Sequence, residues 1–235
     1  NCFDQMNLTW DEEILSVANI PLSYFPKVVA STSIIGGLTK EAAAHTGLNV
    51  GTPVVAGGGD GPMAALGAGI IKPSDGAYAC MGSSSWVAVS TDKPLHDSKM
   101  RSMTWNHIVP NQFSPTATMQ AGGASLQWIV EDLMPVTEKD RYKILLGEAE
   151  KVKSSDDGLY FLPHILGERS PYWNPSAAGA FIGLGRHHDR SYLVRAVLEG
   201  VAFNLLTCIQ AFTDNGVPIK QVDVIGGGAE SALWL

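Results

Sequence analysis

Val54-Val55-Ala56-Gly57-Gly58-Gly59-Asp60, followed by Met63-Ala64-Ala65-Leu66-Gly67-Ala68-Gly69-Ile70, decides the fold class of this chain. A short apolar run bounded by turn signals reads as a buried strand. The three glycines let the backbone turn tightly or be approached closely. The compact apolar segment beyond Asp60 reads as a small-residue helix packed on a sheet. Strand, glycine turn and helix make one α/β unit, with a carboxylate just past the C-terminal end of its strand. In open α/β sheets that edge is where ligands bind. Asp60 can there take a proton from a hydroxyl. It can equally cap the following helix, as Asp commonly does, and the residues alone leave the two readings level.

The surroundings repeat the α/β alternation. Residues 10–20 predict a helix with Asp11, Glu12 and Glu13 in its first turn, where the helix dipole favours acids. Residues 38–44 predict another, N-capped by Thr39 and ended by Gly47. Lys72-Pro73-Ser74-Asp75-Gly76 is the candidate lobe boundary. Runs at 77–81 and 86–91, joined by Gly82-Ser83-Ser84-Ser85, predict a hairpin with a polar tip. Residues 103–109 lean towards strand, 125–133 and 138–153 towards helix, the latter charged and on the surface. Residues 160–162 read as a strand, followed by a Pro-containing loop to Pro175. The strongest helix covers 191–212, with Leu193, Val197, Val201, Leu205 and Ile209 at four-residue steps and Gly216 as its stop. Residues 221–225 read as a short buried strand, and Gly226-Gly227-Gly228 opens the next helix. Strands and helices alternating in both halves favour α/β.

Composition narrows the partners. The net charge is −7 and no basic stripe exists, which argues against nucleic acid as the main partner. An acidic protein still binds anionic nucleotides where backbone N–H groups converge. Cys2, Cys80 and Cys208 are odd in number and far apart, so they form neither a disulfide framework nor a metal-type pair. That points to a reducing, cytoplasmic compartment. No uninterrupted apolar run reaches the ~18 residues of a membrane span, so no membrane partner is expected. The opening Asn1-Cys2-Phe3-Asp4 lacks both a starting Met and a signal-peptide pattern. The closing Ala232-Leu233-Trp234-Leu235 has no helix stop. The chain therefore reads as an interior stretch.

Two further glycine sites invite a ligand. The turn Met81-Gly82-Ser83-Ser84-Ser85 offers N–H and O–H donors to a phosphate, or is an ordinary hairpin turn. Val222-Asp223-Val224-Ile225-Gly226-Gly227-Gly228-Ala229 makes an anion or nucleoside site, or is close packing of strand on helix. It has neither the dinucleotide fingerprint spacing nor the P-loop Lys-Ser/Thr. His187-His188 lacks the Cys or carboxylate cluster of a metal site. Glu168 and Arg169 read as an ion pair ordering the Pro-rich loop rather than a second catalytic pair. The tryptophans read as core or loop anchors, with Trp173 open.

Four stretches together carry a resemblance: residues 47–60; Cys80-Met81-Gly82-Ser83-Ser84-Ser85-Trp86; Gly167-Glu168-Arg169-Ser170-Pro171-Tyr172-Trp173-Asn174-Pro175; and Gly226-Gly227-Gly228-Ala229-Glu230-Ser231-Ala232-Leu233-Trp234. In this order they resemble the FGGY carbohydrate kinases, and residues 179–199 resemble that family's second signature, with Tyr192 where an acid, amide or His is usual. The resemblance implies a ribonuclease H-like, actin-like fold of two lobes with ATP and sugar in the cleft between them. Residues 1–72 would be the end of the sugar-binding lobe and 73–235 most of the nucleotide-binding lobe. The first lobe's opening hairpin, with an Asp near Mg²⁺, and most sugar contacts would lie upstream.

The resemblance also implies roles. Asp60 matches the catalytic base. Gly82 and Ser83 match a Gly-Thr pair that holds ATP phosphates. Gly123 and Gln127 match a Gly and a Gln that contact nucleotide, and Gly227 and Gly228 match the pair against adenosine. The implied partners are ATP with Mg²⁺ and a sugar, xylulose first and gluconate or another sugar next. No metal ligand is assigned on this chain, and a homodimer is left open. A non-enzymatic actin-like nucleotide switch is the rival from another class; Asp60 speaks against it, because a switch needs no hydroxyl base.

Overall fold

The computed structural model describes residues 2–134, 136–153 and 158–235. The first part of the chain holds strands β1 (Phe3–Asp4), β2 (Thr9–Trp10), β3 (Ile34–Gly37) and β4 (Pro53–Val55), and helices α1 (Glu12–Val17), α2 (Lys40–Thr46) and α3 (Asp60–Gly67). The rest holds β5 (Ala77–Met81), β6 (Ser85–Val89), β7 (Met103–Asn106), β8 (Phe113–Met119), α4 (Gly123–Trp128), α5 (Arg141–Ala149), β9 (Tyr160–Leu162), β10 (Ala180–Ile182), α6 (Arg190–Thr213) and β11 (Val222–Ile225).

Local chemistry sets the helix ends. Asp11 accepts the Ile14 N–H at 3.0 Å and starts α1. Thr39 accepts the Ala42 N–H at 3.2 Å and starts α2, and Gly47 ends it in the left-handed region at φ 73°. Gly216, at φ 79°, follows α6. Its amide donates to Thr213 and the next amide to Phe212, closing the last turn.

The central sheet has the order β11-β5-β6-β8-β7, with β11 parallel to β5 and the remaining pairs antiparallel. Alternation along the strands gives it two apolar faces. Ala77, Ala79 and Met81 of β5 and Val87 and Val89 of β6 pack on Val201, Leu205, Cys208 and Phe212 of α6. Tyr78, Cys80, Trp86 and Ala88 face the other way, onto Ala64 and Ala65 of α3 and onto Ile70. A second core joins the N-terminal half of α6, through Val194, Val197 and Leu198, to α4, α5 and β9. The small residues of α3 are thus explained: they bring the Asp60 helix close to the sheet.

Several expectations change. The run at 54–56 is not a buried strand: among the described residues β4 pairs only with β3, in a two-stranded sheet on which Val55 and Ile34 are exposed. β11 is a half-buried edge strand rather than a buried one. α5 is not purely a surface helix, since Leu145 and Ala149 are fully buried. After Gly226–Gly228 there is a single 3₁₀ turn, Gly227–Glu230. Counting unbroken apolar runs also undersold α6. Its 24 residues, with mean hydropathy 1.5 in the most apolar window, are long and apolar enough to cross a membrane, yet half of that window is buried in the core.

Two buried polar ties brace the sheet. The Asp97 carboxylate, 2% exposed, accepts from Arg101 Nε at 2.9 Å and from Asn215 Nδ2 at 3.0 Å, while Arg101 also reaches Asp214 at 2.7 Å. This pins the loop before β7 to the end of α6. The Arg101 guanidinium holds the Asp97 carboxyl far below the usual carboxylate range. His107 is buried with Nε2 3.0 Å from the Ile70 carbonyl, and its Nδ1 accepts from the Val109 N–H at 2.9 Å. Nδ1 as acceptor means a neutral ring, and burial pushes its pKa down.

Both shifts make acid destabilising. Each folded pKa lies below its ordinary value, so the unfolded chain takes up protons first as pH falls. The contribution of His107 is present above its ordinary 6.5 and is lost below it; that of Asp97 is present above 3.8 and is lost below it. The melting temperature should fall from about pH 7 to about pH 5 and fall again below about pH 4. His107→Gln, which keeps a donor for Ile70 and cannot titrate, should flatten the first step only.

Candidate active site

Asp60 opens α3, but it is not the cap. Gly59 occupies the cap position with no side-chain hydrogen bond. Asp60 is the first helical residue, and its Oδ1 accepts the adjacent Gly61 N–H at 2.9 Å. Among the described residues Oδ2 makes no hydrogen bond. The carboxylate is exposed, in the helix's first turn, where the dipole favours a negative charge.

It faces a cavity of about 450 Å³ walled by Ser84, Trp86, Trp105, Gln120 and Arg169 among others. Trp86 packs on the core as expected and also lines this cavity, whereas Trp105 is exposed. Trp173 does serve as an anchor, donating from Nε1 to the Met100 carbonyl at 2.5 Å. Two hydroxyls in this wall, Ser85 Oγ and Thr118 Oγ1, are buried without a partner among the described residues. Buried polar atoms are normally satisfied; here Ser85 Oγ lies against Gly122, and neither atom has surface open to the cavity.

One buried phenol positions the Asp60 turn. Tyr78 Oη donates to the Gly61 carbonyl at 2.8 Å and accepts from Trp86 Nε1 at 2.9 Å. Burial pushes the Tyr78 phenol up to about 12, with the Asp60 charge adding to it. Burial likewise raises the Cys80 thiol, and Asp60 again contributes.

A second cavity, of about 570 Å³, lies on the other side of the β5–β6 turn. Gly82, Ser83, Gly123, Gln127, Gly227 and Gly228 all line it, so six residues singled out from sequence converge on one space. Tyr142, Leu146 and Trp234 supply an apolar wall. The start of α4 is fastened to the turn: Gly123 N donates to Gly82 O at 2.8 Å and Ala124 N to Ser83 O at 3.0 Å. A Cβ on Gly123 would stand 2.7 Å from Gly82 O, so only glycine permits this approach. Gln127 is exposed and donates to Glu131 at 3.1 Å.

The three glycines after β11 divide their duties. Gly226, at φ 90°, and Gly228 lie against Met81, where a Cβ would meet backbone or side chain at 2.8 and 2.6 Å. Gly227 has nothing within 4 Å of a built Cβ and opens onto the cavity. Close packing and ligand access are both present, on different residues.

Glu168 and Arg169 do not form the expected ion pair. Glu168 turns inward, 2% exposed. Its carboxylate accepts from the backbone N–H groups of Gln120 at 2.9 Å and Arg169 at 3.0 Å, and from Asn204 Nδ2 and His164 Nδ1, both at 3.2 Å. The Arg169 side chain instead lines the Asp60 cavity. His187 and His188 stack on each other and on Tyr192. Among the described residues no three His, Cys, Asp or Glu side chains cluster to hold a metal.

Comparison with known proteins places this geometry. The model for the C-terminal domain of the FGGY family of carbohydrate kinases matches residues 77–235, and that for the N-terminal domain matches residues 1–67. A gluconokinase of Bacillus licheniformis is 36% identical over 97% of this chain and 45% of its own length. A xylulose kinase of Staphylococcus epidermidis is 31% identical over 99% of this chain and 46% of its own. Among solved structures, a ligand-bound xylulose kinase from Lactobacillus acidophilus superposes with TM-score 0.88 at 26% identity, over 99% of this chain and 46% of that one. The xylulose kinase of Rhodospirillum rubrum gives 0.82 at 33%, over 96% and 45%. The chain spans about half the length of the relatives it matches. Its fold is the ribonuclease H-like, actin-like fold of these sugar kinases, and with domain models matching 77–235 and 1–67 the chain belongs to the FGGY family of carbohydrate kinases.

Proposed function

We propose that this chain is the central part of an ATP-dependent kinase that phosphorylates a sugar hydroxyl, with residues 1–72 ending the sugar lobe and 73–235 forming most of the nucleotide lobe. The observation that carries the reading is the pair of cavities flanking one turn. Asp60 stands in the first, and Gly82, Ser83, Gly123, Gln127, Gly227 and Gly228 line the second. ATP in the second cavity would present its phosphates towards residues 82–85, and a sugar in the first would meet Asp60.

The chemistry follows from that arrangement. The sugar oxygen forms a bond to the γ-phosphorus as the bond from that phosphorus to the bridging oxygen breaks, and ADP leaves. The hydroxyl proton passes to the Asp60 carboxylate. Holding the two reactants in line supplies much of the rate, because a misplaced reactant loses ~10²-fold or more. Mg²⁺ would arrive with the ATP phosphates, whose charge it would offset. Xylulose is our first acceptor, supported by the 167–175 loop and by xylulose kinases among the relatives. Gluconate is the second reading, favoured by the 36% identity to a gluconokinase. Turnover of a panel of sugars by a protein carrying both lobes in full separates them. A cytoplasmic location is consistent with three unpaired cysteines.

Two tests address the two cavities. Titrating this chain with ATP and Mg²⁺ should perturb the amides of Gly82, Ser83, Gly227 and Gly228. Gly227→Val projects into open space, so it should keep the melting temperature and weaken ATP binding. Gly228→Val meets Met81 and should destabilise the fold by about 1–3 kcal/mol, as overpacking does, with a correspondingly lower melting temperature. Perturbation confined to residues 10–50 would remove the nucleotide assignment.

Asp60→Asn in a protein with both lobes in full tests the base. Asn still accepts the Gly61 N–H and still hydrogen-bonds a sugar, but cannot take its proton. The expected result is a fall in kcat of about 10²-fold or more, with sugar affinity and melting temperature near those of the parent. Near-normal turnover would leave Asp60 as a mere helix-start residue.

A further inference from the structure

The two cavities differ in charge from what phosphoryl transfer requires. Among the described residues that line them, the ionised side chains are Asp60, Glu230 and Arg169. The incoming phosphoryl group is anionic, the net charge of the chain is −7, and one guanidinium is the sole cation on either wall. Among the described residues no carboxylate lies within ion-pair distance of Arg169. An arginine fork presents parallel N–H donors that match two oxygens of a phosphoryl group.

The backbone beneath Arg169 is held from several sides. Glu168 Oε1 accepts its N–H, and the same oxygen accepts the N–H of Gln120, another residue of the Asp60 cavity wall. Oε2 is tied to Asn204 on α6 and to His164. The Arg169 carbonyl accepts from the amides of Tyr172 at 2.9 Å and Trp173 at 2.5 Å. Gly167, at φ 70°, lies so close to Pro175 that a Cβ would stand 2.4 Å from its carbonyl oxygen. A fully buried carboxylate that orders two wall residues from separate segments is more than a loop brace. It sets the height of the guanidinium above the cavity floor.

We infer that Arg169 is a catalytic residue that holds the phosphoryl group in transit from ATP to the sugar hydroxyl, and that Glu168 is the residue that positions it. This rests on the kinase reading above. The guanidinium binds the oxygens of the γ-phosphoryl while its bond to the bridging oxygen of ATP breaks and its bond to the sugar oxygen forms. The proton goes to Asp60, and no other co-reactant is needed. Arg169 and Asp60 then share one cavity with separate duties: charge on the phosphoryl side, proton on the hydroxyl side.

The test uses this chain and inorganic phosphate at constant ionic strength, followed by the Arg169 Nε–H resonance in the parent and by calorimetry in the parent and every variant. Phosphate should shift that resonance saturably. Arg169→Gln should weaken phosphate binding by about tenfold or more, Arg169→Lys by less, and Lys99→Gln, a surface cation elsewhere, not at all. The Arg169 variants should keep the parental melting temperature, since the side chain is exposed. Glu168→Gln should weaken phosphate binding with Arg169 intact; should it melt too early to measure, Asn204→Leu, which removes one of the two side-chain partners of Oε2, should show the same effect in smaller size. Parental phosphate affinity in Arg169→Gln, or no phosphate binding by the parent, overturns the inference. Parental affinity in both Glu168→Gln and Asn204→Leu overturns the positioning role. An ATP titration in parallel keeps the two readings apart: perturbation at Gly82 and Gly227 without phosphate binding sinks the Arg169 role alone, whereas no response to ATP sinks the kinase reading itself.

Discussion

The hydroxyl of Tyr78 is the joint on which the arrangement of the two cavities depends. It belongs to β5, the strand that runs into the Gly82–Ser83 turn, and it hydrogen-bonds the carbonyl next to Asp60. Trp86, on the strand leaving that turn, donates to the same oxygen. Buried hydrogen bonds of this kind are costly to break, at about 1–3 kcal/mol for a group left unsatisfied. They are also directional, which apolar packing is not. The helix that carries Asp60 is therefore fixed in angle to the hairpin by polar contacts and in depth by Ala64 and Ala65. Asp60 and the turn form a rigid pair even though they come from segments matched by different domain models.

Much of this fold is legible where one local signal acts alone. Thr39 and Gly47 bracket α2 as their chemistry requires, Gly216 ends α6, and the Gly-Ser turn joins two strands. The central strand β8 is not legible. Its sequence Phe-Ser-Pro-Thr-Ala-Thr-Met alternates apolar and polar residues but contains Pro115, which argues against a paired interior strand, yet both neighbours pair with it. Ser114 and Thr116 are buried there because tertiary context outweighs their polarity. β1, β2, β3 and β10 escape notice for a different reason. They are two to four residues long, and pairs so short have too little periodicity to read.

The site divides similarly. Its glycines stand out in sequence because close backbone approach leaves a residue type behind, and six predicted residues share one cavity. Tyr78, Trp86 and Trp105 leave no such mark, since an aromatic in a strand is most simply core. Glu168 and Arg169 are adjacent and of opposite charge, so an ion pair is the natural expectation. The backbone turns their side chains in opposite directions, one into the core and one to the cavity. The carboxylate goes inward to donors distant in sequence, the Gln120 N–H 48 residues before it and Asn204 36 residues after it on α6.

α6 enters both large hydrophobic cores, with Val194, Val197 and Leu198 in one and Val201, Leu205, Cys208 and Phe212 in the other. A helix shared in this way leaves no seam along which residues 77–235 can come apart. Loosening the α5 and β9 end strips contacts from the same rod that backs the central sheet, so opening at one end lowers the barrier at the other. Regions of this kind exchange their amide hydrogens as a single cooperative block rather than in stages. The apolar character that gives α6 the profile of a membrane span is thus what joins two separate layers into one folding unit.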